Sequence, residues 1–108
     1  MTPRRGEIWW VHLDPTRGSE IRKSRPCVVI SVNIVNERRK TVVVVPLSTS
    51  PEAAPPLLVP VLCAGRQAMA VIDQIRAVAK ERLSHRMGEL SSAELSTIEE
   101  SIRAILDL

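Results

Sequence analysis

Helical periodicity is confined to the end of the chain. In "SSAELSTIEESIRAILDL", Ser91 to Leu108, apolar residues recur at Leu95, Ile98, Ile102, Ile105 and Leu106, the spacing of one helix face. Ser91 and Glu94 form a capping-box pattern that marks where this helix starts. Upstream, the apolar runs are short and broken by turn residues, so no helix of crossover length separates consecutive strands. Parallel strands require such crossovers. The pattern therefore predicts a mainly β, compact barrel of five or six short strands, closed on one side by a single amphipathic helix whose acidic groups largely turn outward.

The strands are legible from their side-chain alternation. "EIWWVHLD", Glu7 to Asp14, puts Trp9, Val11 and Leu13 on one face and Ile8, Trp10 and His12 on the other. After a long connection, "PCVVIS" is the second strand, Asn33 to Lys40 a short helical turn or loop, and "TVVVVPLS" a third strand apolar enough to be central. Three prolines make "STSPEAAPP" a surface loop. "LLVPVLCA" reads as an edge strand because Pro60 cannot donate to a ladder. "AMAVIDQIRAVA" is β-rich, and "KERLSHRMGEL" opens with a helical turn before returning to the sheet.

A chain of 108 residues holds one core, and residues 1–108 are expected to form a single domain. With no Phe and no Tyr, that core must be Val, Ile and Leu, with one tryptophan as the large filler, and a stacking platform of exposed rings for single-stranded nucleic acid is disfavoured. The net charge of +3 is unevenly spread: residues 1–40 carry nine Lys or Arg against four acids, and 91–108 one Arg against four. Such asymmetry favours a polyanionic partner for the first half, the alternative being a cationic surface kept for solubility. Cys27 and Cys63 sit in apolar runs and read as reduced core thiols. With neither a signal-peptide pattern nor a membrane-length run, the chain is expected to be soluble and cytoplasmic.

No Gly-rich phosphate loop, metal-ligand spacing or catalytic serine motif is present, which leaves basic side chains, hydroxyls and one carboxylate as candidates. Arg25 precedes Pro26, which restricts it to extended geometry at the mouth of the second strand. Its guanidinium fork either grips phosphate oxygens or faces solvent. Ser48 and Thr49, where the third strand leaves the sheet, either cap a turn or donate to a phosphate. Asp73, within an apolar strand, must be paired, hydrogen-bonded or functional, with Arg76 or a group on another strand as its partner. His12 and His85 are either surface residues or proton-exchange groups.

Four segments, "RGEIWWVHLDPTRGSE", "RPCVVIS", "VVVPLSTS" and "VIDQIRAV" followed by "ERLSHRMGEL", resemble in that order the MazF/PemK toxins of bacterial type II toxin-antitoxin systems. The resemblance spans nearly the whole chain and implies an SH3-like (CcdB/PemK-type) barrel with a C-terminal helix, acting as a homodimer. It implies a cofactor-free and metal-free endoribonuclease, an mRNA interferase that cuts single-stranded RNA within short sequence motifs. It also implies a cognate MazE-type antitoxin whose acidic C-terminal tail blocks the toxin.

Matched by position, the catalytic arginine falls on Arg25, the catalytic hydroxyl on Ser48 beside Thr49, and the acid on Asp73, next to Gln74 and Arg76. Ser48 stands where the family has threonine, and Val71 where some members have a second arginine. The loop Gly18, Ser19 and Glu20 would border the site, and Arg17, Arg22 and Lys23 would attract RNA. Cleavage through the ribose 2′-OH would leave a 2′,3′-cyclic phosphate and a 5′-OH. The rival reading is a non-catalytic module on the same barrel, binding nucleic acid or poisoning gyrase.

Overall fold

The computed structural model describes residues 2–13, 23–49 and 52–108. Arg17, Gly18, Ser19, Glu20 and Arg22 lie outside the described residues. The described chain runs β1 (Glu7–His12), β2 (Ser24–Val29), α1 (Asn33–Arg38), β3 (Thr41–Ser48), β4 (Leu58–Cys63), β5 (Arg66–Val71), β6 (Arg76–Ala79), β7 (Leu83–Glu89) and α2 (Ser92–Leu106). All pairings are antiparallel, in the order β4-β5-β3-β2-β1-β7, with β6 also on β3. The SH3-like small barrel with a C-terminal helix is what the sequence led one to expect.

The described residues hold seven strands rather than five or six, because "AMAVIDQIRAVA" is two strands and not one. Between them Ile72–Gln74 forms a turn of 3₁₀ helix, with the Ile75 N–H bonded to the Ile72 carbonyl. The Ile72 N–H is held by the Leu57 carbonyl at 2.9 Å, which fixes the turn beside the start of β4. As a result β5 pairs with the end of β3 (Leu47 with Ala70, Ser48 with Met69), while β6 pairs with its beginning (Thr41 with Ala79, Val44 with Arg76). Two partners in succession along β3 let the sheet bend and curl. A second such turn, Lys80–Arg82, leads into β7.

Alternation divides the apolar residues into two clusters. Trp9, Val11, Leu13, Cys27, Val29, Val42, Val44 and Val78 fill the inside of the curl, with Leu83 packed against them. The opposite face contributes Ile8, Val28, Val45, Leu47, Val59, Val61, Ala70 and Ile72, and Ile98 of α2 closes it. Helix α2 is anchored as its sequence predicts: the Glu94 N–H donates to Ser91 Oγ and the Ser91 N–H to Glu94 Oε1. Leu95, Ile102 and Ile105 pack against the outer cluster, but Leu106 is half exposed, past the point where the sheet ends.

The acids of α2 are not all turned to solvent. Glu99 pairs with Arg5, and Glu94 Oε2 accepts the Leu62 N–H of edge strand β4 at 2.7 Å. The Leu58 N–H of the same strand bonds the Ala54 carbonyl at 2.9 Å. Burial alone would raise the Glu94 carboxyl, but N–H donors from Ser91 and Leu62 and the Ser91 side chain outweigh it and hold the carboxyl below the ordinary value. Helix α1 is fixed by Asn36, fully buried, whose Nδ2 donates to the Ser31 carbonyl and whose Oδ1 accepts from the Ser31 hydroxyl. Both cysteines are buried free thiols.

Candidate active site

The site is assembled where β2 begins and β3 ends. Lys23 has φ = +65°, a left-handed backbone that costs a non-glycine residue about 1–2 kcal/mol. Its carbonyl accepts the Leu13 N–H at 3.0 Å, so the turn is held against β1. From there the chain enters β2 at Ser24, with Arg25 opposite Val11 and Pro26 opposite Trp10. Arg25 is in extended strand, as the following proline demands.

Register brings the hydroxyl candidates to this point. Cys27 pairs with Pro46, and continuing that antiparallel register by two residues sets Ser48 across from Arg25. A cavity of about 270 Å³ opens there, lined by Lys23, Arg25, Pro26, Ser48, Thr49 and Ala68 among others. Pro26, Thr49 and Ala68 also wall a neighbouring, mostly apolar recess that reaches Met87. Two cations, Lys23 and Arg25, and three hydroxyls, Ser24, Ser48 and Thr49, thus share one opening, which is an arrangement suited to a phosphate group. Lys23, Arg25 and Ser48 each have interactions within the protein as well.

The other candidates among the described residues do not line this opening. Asp73 is exposed on the 3₁₀ turn, so the acid expected inside an apolar strand is not in one and carries no burial penalty to be relieved. Neither it nor the half-buried Gln74 lines the cavity. Arg76 is half-buried at the start of β6, on the face of β3 that Val44 presents to the inner cluster. The two histidines lie on the outer surface: His12 Nδ1 is 2.6 Å from Ser24 Oγ, and His85 stacks on Trp10 with ring centres 6.4 Å apart.

Just behind Arg25 on β2, the Cys27 thiol is pushed up to about 12, chiefly by burial, with Arg76 and Arg25 opposing that rise. It stays protonated at neutral pH. Among the described residues no three His, Cys, Asp or Glu side chains converge as a metal site would require. Sequence reasoning missed Ser24, Leu47 and Ala68 in the cavity lining, and of these Ala68 is the most distant along the chain. It arrives through the long-range pairing of β3 with β5, and no local signal marks it.

The chain is similar to known proteins over its full length. Endoribonuclease MazF9 of Mycobacterium tuberculosis is 40% identical over 97% of this chain and 97% of its own. Endoribonuclease toxin MazF of Escherichia coli is 31% identical over 96% and 94%. Among solved structures, MazF of Deinococcus radiodurans matches with a TM-score of 0.90 at 19% identity, covering 100% of this chain and 99% of that one. A mycobacterial endoribonuclease in complex with its cognate antitoxin matches with a TM-score of 0.79 at 23% identity, covering 99% and 95%. The family model of PemK-like, MazF-like toxins of type II toxin-antitoxin systems matches residues 4–106, and the chain belongs to that family.

Proposed function

We propose that this chain is the toxin of a type II toxin-antitoxin pair and a metal-independent, sequence-specific endoribonuclease acting on single-stranded RNA. The observation that carries the reading is that Arg25 and Ser48, from neighbouring strands, line one cavity beside Lys23. The relatives' activity as endoribonucleases supports it. Residues 1–108 act as one unit in the cytoplasm, as a homodimer. A cognate antitoxin with an acidic tail inhibits it, in keeping with the mycobacterial complex.

The chemistry follows from the substrate. The ribose 2′-oxygen attacks the adjacent phosphorus and loses its proton; the bond from phosphorus to the 5′-oxygen breaks, and that oxygen is protonated as it leaves. The products are a 2′,3′-cyclic phosphate and a 5′-OH. Arg25 stabilises the extra negative charge on the pentacoordinate phosphorus, and one such preorganised donor is worth about 10²–10³-fold in rate. Ser48 donates to a phosphate oxygen, with Thr49 beside it. Asp73 and Gln74 border the bound RNA from the 3₁₀ turn, and Lys23 with Arg17 and Arg22 attracts it.

Because the nucleophile belongs to RNA, DNA is bound at most. Purified protein is incubated in EDTA with a labelled single-stranded RNA and its all-DNA equivalent. The expected result is cleaved RNA with a cyclic phosphate end and intact DNA. Persistence of both strands, or cleavage abolished by EDTA, overturns the proposal, and RNA binding without cleavage points to a non-catalytic module.

A further inference from the structure

Half-buried Arg76 carries a guanidinium nitrogen that its surroundings leave unsatisfied. Its Nη1 is shielded from solvent and has no hydrogen-bond partner among the described residues. No carboxylate among them forms an ion pair with it, and Asp73, three residues away, is exposed. A guanidinium nitrogen withdrawn from water without an acceptor is costly, and such a group calls for an explanation. The surroundings sharpen the question. Arg76 stands opposite Val44, which stands opposite Val29, so its side chain shares a sheet face with Cys27 and Arg25. The Cys27 thiol lies within electrostatic reach of both guanidiniums and stays neutral. Two like charges are therefore held on one face of the sheet, Arg25 at the cavity and Arg76 beside Val44, with a neutral thiol in reach of both.

We infer that Arg76 is a positioning residue of the phosphate site: a fixed cation behind Arg25 whose field is balanced only when a phosphate docks in the cavity lined by Arg25 and Ser48. This rests on the ribonuclease reading for its biological substrate, but the anion site is a claim of its own. Nη1 is shielded from water, so its charge acts on a docked phosphate with less screening than that of a fully exposed lysine. Held by the sheet rather than by a loop, it also needs no rearrangement when negative charge develops.

The test uses Arg76→Met, Arg76→Gln and Arg76→Lys in the full chain, with two readouts. In single-turnover cleavage at saturating RNA, the neutral variants are expected to lose about 10²-fold or more, while R76K, which keeps the charge, stays within about tenfold of wild type. Affinity for an RNA carrying a 2′-deoxy group at the cleavage site should fall far less than the rate. In thermal melts without RNA, inorganic phosphate should raise the wild-type midpoint and leave that of R76M unmoved. Neutral variants should melt at or above the wild type, because an uncompensated charge has been removed. Neutral variants that cleave within threefold of wild type, or that unfold, overturn the inference. So does R76K falling as far as R76M. A wild type that phosphate protects but that leaves RNA intact would sink the ribonuclease reading alone.

Discussion

The two apolar clusters are built from the same strands yet differ in how they are closed. The outer one is sealed by a separate element, α2, with Ile98 fully buried and Leu95, Ile102 and Ile105 around it. The inner one is closed by the sheet's own curl and is filled mostly by valine, Trp9 and a neutral thiol. The inner face runs out into cations toward the candidate site, where Arg25 lies two residues beyond Cys27 and Arg76 stands beside Val44. Stability can thus be concentrated on one face and chemistry at the end of the other, with β2 and β3 common to both.

That division can be broken by mutation. Ile98→Ala, in the outer cluster, is expected to cost about 2–5 kcal/mol in chemical denaturation, while cleavage per folded molecule stays at the wild-type level. Arg25→Lys should do the reverse, lowering single-turnover cleavage about 10²–10³-fold by loss of the fork and leaving the melting midpoint near that of the wild type. If each substitution damages both properties alike, the two faces are not separable.

Much of the fold was legible because alternation and capping are local. Trp9, Val11 and Leu13 face inward as their spacing requires, Ser91 caps α2, and the short helix after β2 lies within Asn33 to Lys40. What stayed hidden depended on distant partners. Nothing near Asp73 announces that the Leu57 carbonyl will hold a 3₁₀ turn there, so one long strand was read where two exist. The site divided in the same way. Arg25 can be singled out from Pro26, but the cavity it shares with Ser48 depends on β2–β3 pairing, and the unpartnered Nη1 of Arg76 is invisible until β6 is placed on β3.

Smaller effects sharpen the outer face. Ser91→Ala removes half of the capping box and should lower stability by about 1 kcal/mol, measured by urea denaturation, with no change in cleavage. Glu7 and Glu94 give a dependence on pH. Burial tends to raise Glu7, but the Arg4 N–H, the Trp9 indole and Arg86 prevail, so both carboxyls lie below their unfolded value of 4.5 in the folded chain. Their contribution is therefore present above that value and lost as pH falls through the folded pKa values. The denaturation midpoint should drop as pH falls from the unfolded value of 4.5 through the lower folded values, and Glu94→Gln should flatten that drop.

The bond from the Leu62 N–H to Glu94 also decides how this protein can meet extended chains. Along β4 the residues whose N–H groups face away from β5 are Leu58, Pro60 and Leu62. The first is taken by the Ala54 carbonyl, the second does not exist, and the third is occupied by a carboxylate from α2. An incoming strand would find acceptors there but not one free donor, and a ladder needs both. This border of the sheet is thereby shut to strand addition, whether by a misfolded neighbour or by the tail of an inhibitor. A partner that binds here must lie across the sheet and be read by its side chains.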